Sequence, residues 1–107
     1  MNHISCEDLK RKFDLEEKFK LVNALDEAKF RALHIPNSIN ICKDEDIQKC
    51  LAFDDVIIIY CTDEACNRSV ILYQQLDAFG YEKIFRFAGG LRAWESAGYK
   101  LAGDMVA

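Results

Sequence analysis

The chain has 107 residues, half of them apolar and only one a proline, so it is long enough for one domain with a real core and is not a disordered polymer. Its formal charge of −4 gives no electrostatic reason to expect nucleic acid or an anionic membrane as a partner. The longest apolar run, Val56 to Cys61, is far too short to span a bilayer, and Met1 to Cys6 lacks the basic and apolar segments of a secretory signal.

In chain order, Ser5 is placed to cap a helix running to about Phe13, with Glu7 and Asp8 in its first turn. Lys20 to Leu25 reads as a strand, and Asp26 to Leu33 as a short helix. Ser38 to Ile41 reads as a second strand, and Lys43 to Ala52 as a helix with Ile47, Cys50 and Leu51 at helical spacing. Val56 to Tyr60 is unbroken and rich in β-branched residues, which fits a strand covered on both faces. Arg68 to Phe79 follows as a helix, with Val70, Ile71, Leu72, Leu76 and Phe79 expected on its buried side and Gly80 as its stop. Lys83 to Phe87 is the last strand, and Gly89-Gly90 opens a final helix through Trp94 that Gly98 closes. Strands alternating with helices predict a parallel or mainly parallel sheet with helices on both faces, in one domain over residues 1–107. Sites in such sheets lie beyond the carboxyl ends of the strands, so the residues after Tyr60 are the first place to look for chemistry.

The cysteines are Cys6, Cys42, Cys50, Cys61 and Cys66. Their odd number and uneven spacing do not describe a disulfide scaffold, and a reducing compartment, the cytoplasm, fits them better. No second tight Cys/His pair accompanies Cys61 and Cys66, so neither a metal site nor any other cofactor is expected. Cys61 ends the apolar strand where the amides and dipole of the next helix favour an anion. Such a setting lowers a thiol pKa from about 8.5 into a range of roughly 3.5–7.5. The alternative is that Cys61 is a small core hydrophobe.

Three stretches together resemble the rhodanese-like domain family. Leu21 to Leu25, with Phe30 and His34-Ile35-Pro36-Asn37-Ser38-Ile39-Asn40, resembles the opening strand and its His-Ile-Pro-Gly-Ala/Ser motif. Ile59-Tyr60-Cys61 through Arg68-Ser69, then Leu76 and Gly80-Tyr81, resembles the strand, active-site loop and following helix. Phe87 to Trp94, with Ala97-Gly98-Tyr99, resembles the closing Gly-Gly-x-x-x-Trp signature. The resemblance implies an α/β domain around a five-stranded, mainly parallel sheet. It also implies a sulfurtransferase that moves sulfane sulfur from a donor such as thiosulfate, a polysulfide or a persulfide to a thiol acceptor, with a sulfur-carrier protein as a further candidate. Cys61 then carries the persulfide, and Thr62, Asp63, Glu64, Ala65, Asn67, Arg68 and Ser69 form the loop that surrounds it.

The chain departs from the pattern in specific places. Asn23-Ala24-Leu25 stands where an Asp-x-Arg is common, as in family members with a second loop cysteine. Asn37 replaces a glycine and tolerates left-handed angles. Six residues separate Cys61 from Arg68, two more than usual, and none is glycine. Asp63 and Glu64 oppose an anionic donor if they face the site and are neutral to it if they face solvent. Cys66 is a resolving thiol, the sulfur carrier itself, or a buried cap. Arg68 holds an anion or pairs with Asp63 or Glu64. His34 is read as tying loops together, and Trp94 with Gly89-Gly90 as packing. Cys6, Cys42 and Cys50 are read as structural, and Lys18 and Lys20 as a solvated face. Two alternatives to sulfur transfer are a non-catalytic binding module and a Cys-dependent phosphatase or arsenate reductase. The second is opposed by the six-residue spacing and the two loop acids.

Overall fold

A computed structural model describes residues 1–106. The elements run α1 (Cys6–Asp14), β1 (Lys20–Asn23), α2 (Glu27–Ala32), β2 (Ile39–Asn40), α3 (Asp44–Cys50), β3 (Ile57–Tyr60), α4 (Arg68–Ala78), β4 (Ile84–Arg86) and α5 (Gly90–Ser96). Every expected element is present; most are one or two residues shorter at their ends, where helices and strands fray, whereas α1 runs on to Asp14 and α5 to Ser96. The strands form one sheet in the order β2-β1-β3-β4, and every pairing is parallel. The fold is therefore α/β, as the alternation predicted. No helix among the described residues is long and apolar enough to cross a membrane.

The sheet has four strands rather than five. The fifth place, beside β4, is reduced to one parallel bridge between His3 and Arg86. The reason is local. Ser5 already caps α1, accepting a hydrogen bond from the Asp8 amide at 3.1 Å, so only Asn2 to Ile4 are left to pair with β4.

β3 is the centre of the core, and Ile57, Ile58, Ile59 and Tyr60 are all fully buried. A β-branched run with no polar alternation suits only a strand covered on both faces. The stripe of α4 that packs onto the sheet is Ser69, Leu72, Tyr73 and Leu76, at helical spacing. Ile71 and Phe79, expected inside, are 53 % and 45 % exposed, because both fall off that stripe. At the other end of the chain, Phe13 of α1 and Tyr99 pack against Trp94 of α5, with ring centres 5.3 and 4.9 Å away.

Polar groups tie the connections to the sheet. The Tyr60 hydroxyl accepts from the Ile35 amide at 3.0 Å and bonds the Ser38 hydroxyl at 2.8 Å. It thereby anchors the turn that holds Asn37 at φ 68°, the left-handed conformation expected of that residue. Asn23 keeps its side-chain oxygen on the Leu25 amide at 2.8 Å, and Asn40 donates to the carbonyls of Asn23 and Leu25. An asparagine thus folds the β1 turn where the family commonly has an acid. His34 binds the Phe30 carbonyl through Nδ1 at 2.7 Å and bridges to Ala102, which is the loop-tying role expected of it.

Tyr60→Phe keeps the ring but strands the buried Ile35 amide. Equilibrium denaturation should show a loss of about 1–3 kcal/mol, the cost of an unpaired buried polar group. A loss near zero would mean that the hydroxyl does not anchor this turn.

Candidate active site

The site lies at the carboxyl end of β3. Cys61 is the first residue beyond the strand and is 1 % exposed. Its backbone is pinned from the opposite side by the start of α5. The Leu91 amide donates to the Cys61 carbonyl and the Arg92 amide to the Thr62 carbonyl, both at 2.9 Å. This approach needs a glycine at position 90. Gly90 has φ +60°, and a Cβ there would sit 2.3 Å from the Cys61 carbonyl oxygen. The Gly-Gly pair thus holds the floor of the site, beyond the packing role read from the sequence.

From that fixed point the chain must reach Ser69, which is buried in the first turn of α4. It does so by a tight turn centred on Asp63. The Asp63 carbonyl accepts from the Cys66 amide at 3.1 Å, and its carboxylate accepts from the Ala65 amide at 3.0 Å. The turn folds Cys66 back over Cys61. The Cys61 thiol then lies 3.4 Å from the Cys66 carbonyl oxygen and 3.4 Å from the Ser69 hydroxyl. Both cysteines are free thiols.

The two thiols are driven in opposite directions. Burial pushes the Cys61 pKa up, and the neighbouring Cys66 adds to this, outweighing the Ser69 hydroxyl and amide that favour a charge. Cys66 is also opposed by burial, but more weakly than it is helped. The Cys61 thiol, the amides of Arg68 and Thr62 and the Arg68 charge together bring its pKa below the ordinary thiol value. Burial at the strand end thus works against the acidity expected of Cys61, and the more exposed Cys66 is the better placed of the two to carry a charge. The loop shares its amides between the two thiols, Ser69 serving Cys61 and Arg68 with Thr62 serving Cys66.

The remaining loop residues divide by position. Thr62, Glu64, Ala65, Asn67 and Arg68 are exposed, and Asp63 is partly buried. Arg68 makes no ion pair among the described residues. Asp63 faces Arg92 instead, 3.7 Å from its Nε, which reduces the negative charge presented to a donor. A hollow of about 300 Å³ opens beside α4 between Lys43, Arg68 and Cys42. Cys6 and Cys50 are partly buried and lie outside the loop, whereas Cys42 is exposed.

One site residue escaped the sequence reading. Arg86 of β4 is 8 % exposed and reaches under the loop, its Nε donating to the Ser69 hydroxyl at 2.9 Å. The sequence signal was a charged residue within the expected strand Lys83 to Phe87, flanked by Phe85 and Phe87.

Comparison with known proteins identifies the family and the fold. Residues 5–97 match the model of the rhodanese-like domain family, and the chain belongs to that family. A protein from Bacillus halodurans of known structure superposes with a TM-score of 0.89 at 25 % identity, covering 97 % of this chain and 78 % of the other. The rhodanese-like domain of an Anabaena protein gives 0.82 at 21 % identity, covering 98 % of this chain and 81 % of its own. The thiosulfate sulfurtransferase of Pseudomonas aeruginosa shares the fold, with a TM-score of 0.83 at 18 % identity over 96 % of this chain but only 20 % of that enzyme. No curated protein matches the sequence.

Gly90→Ala should destabilise the domain by more than Gly98→Ala. Both positions have positive φ, which costs an L-residue about 1–2 kcal/mol. Only at Gly90 does the new methyl group also meet backbone, since nothing lies within 4 Å of a Cβ at Gly98. Denaturant midpoints compare the two. Equal losses would show that the Gly90 contact does not constrain the site.

Proposed function

We propose that the protein is a rhodanese-type sulfurtransferase in which Cys66 and Cys61 handle the sulfur in turn. The observation that carries this reading is the juxtaposition of two free thiols at the carboxyl edge of the sheet, the outer one partly exposed and favoured as a thiolate. Family membership supports the reaction class.

Three exchanges suffice, and none changes the oxidation state of the pair. The Cys66 thiolate attacks the outer sulfur of a donor persulfide, R–S–SH. A new S–S bond forms on Cys66, the donor's S–S bond breaks, and the donor leaves as R–S⁻ with the bonding pair. Cys61 then attacks the outer sulfur of Cys66–S–SH. The Cys66 S–S bond breaks, the proton of Cys61 passes to the Cys66 sulfur, and the persulfide now stands on Cys61. A thiolate acceptor removes it by the same exchange. Each step depends on the thiolate fraction of the attacker and on how well the departing sulfur carries charge. The acidic Cys66 meets both needs, as entry nucleophile and as leaving group. On Cys61 the transferred sulfur is shielded from water until an acceptor arrives.

A persulfide donor suits the site better than thiosulfate, because Glu64 stays exposed beside it and carries a negative charge. The acceptor is a low-molecular-weight or protein thiol, and the five free cysteines suit a reducing compartment such as the cytoplasm. No metal or other cofactor enters the reaction.

Intact mass after brief exposure to a small alkyl persulfide tests the order. Cys61→Ser should still gain one sulfur atom, mapped to Cys66. Cys66→Ser should load at least about tenfold more slowly near neutral pH, since a raised pKa leaves little Cys61 thiolate. Loading of Cys66→Ser at the wild-type rate, with none on Cys61→Ser, would make the strand-end cysteine the sole carrier. Absence of loading on any form would refute sulfur transfer.

A further inference from the structure

Arg86 is a buried cation with no carboxylate partner among the described residues. Removing a guanidinium from water is costly unless its donors are used. Here Nε donates to the Ser69 hydroxyl at 2.9 Å, and Nη2 lies 3.5 Å from the Glu64 carbonyl oxygen. One contact ends on the loop that carries Cys66 and the other on the helix turn that follows it, and neither is a pairing of the sheet.

The chemistry of the contact fixes a direction. A guanidinium only donates, so the Ser69 oxygen must accept from Arg86. The single hydroxyl proton is then free to point elsewhere, and the Cys61 sulfur lies 3.4 Å away. While Cys61 is a neutral thiol it can donate to the Cys66 carbonyl at the same distance. Once it loses its proton its sulfur can only accept, and the serine proton lies ready for it. The charge on Arg86 polarises that hydroxyl and strengthens the bond.

We propose that Arg86 is a positioning residue that acts through Ser69, holding the hydroxyl as a fixed donor to anionic sulfur on Cys61. The proposal rests on the reading of Cys61 as a sulfur carrier. It extends that reading to the residues that stabilise the sulfur in its buried position. Ser69 touches the reacting atom; Arg86 does not, and acts by orienting the serine.

The test needs no sulfur donor, so its result is independent of whether the protein transfers sulfur. In a Cys66→Ser background Cys61 is the one thiol left in the loop, and alkylation is followed at each cysteine by mass against pH. The midpoint of the Cys61 profile is read, because easier access alone changes the rate but not the midpoint. Exposed Cys42 serves as the internal reference. Ser69→Ala and Arg86→Met should each raise the Cys61 midpoint by about one pH unit, equivalent to about tenfold slower labelling below the midpoint. The double variant should go no higher than either single variant, since both remove one interaction. Arg86→Lys, which keeps a charged donor, should recover most of the shift. A midpoint that moves with Arg86→Met but not with Ser69→Ala, or single shifts that add in the double variant, would overturn the proposal. Should Arg86→Met not fold, Ser69→Ala and Arg86→Lys still decide: an unmoved midpoint for Ser69→Ala rejects the relay.

Discussion

The site depends on one backbone contact, the seating of Gly90 against the carbonyls of Cys61 and Thr62. The Leu91 and Arg92 amides hold those carbonyls and fix where the chain leaves β3. At the far end of the loop, the buried face of Ser69 fixes where α4 begins. Seven residues must join these two points, and none is a glycine. The Asp63 turn is the solution, and it stacks one thiol on the other. Loop length, more than loop charge, therefore decides which cysteine meets the helix amides.

That stacking separates the chemistry of two identical side chains. Cys61 loses water on nearly every side and is held close to its neutral form. Cys66 gains the Arg68 amide and charge and the neighbouring Cys61 thiol, which lower its pKa. Beneath both, Arg86 has no carboxylate partner among the described residues and donates to the Ser69 hydroxyl.

Much of this was legible in the sequence. The run from Val56 to Tyr60 announced a strand buried on both faces, and the position of Cys61 after it follows from the run itself. The turn formers worked as their chemistry requires: Asn37 took a left-handed angle, and Gly80, Gly90 and Gly98 all have positive φ. What one dimension could not show was register across elements. The acidity of Cys66 depends on how a loop folds over its own start, and spacing along the chain does not encode that. Arg86 looked like an ordinary strand residue, because its contact is with Ser69 of the neighbouring helix, seventeen residues earlier. The fifth strand is reduced to a bridge by a local cause, since the helix cap at Ser5 ends the pairing with Arg86 at Ile4.

In the proposed scheme the outer cysteine, not the one at the strand end, is the thiolate of the resting site. Thiolate absorbance in the ultraviolet, followed as the pH of the intact protein rises and compared among wild type, Cys61→Ser and Cys66→Ser, tests it directly. A titration step below the ordinary thiol range should be present in the wild-type protein, persist at a somewhat higher pH in Cys61→Ser, where the donating thiol is gone, and vanish in Cys66→Ser. A low step that survives in Cys66→Ser and disappears in Cys61→Ser would contradict the account.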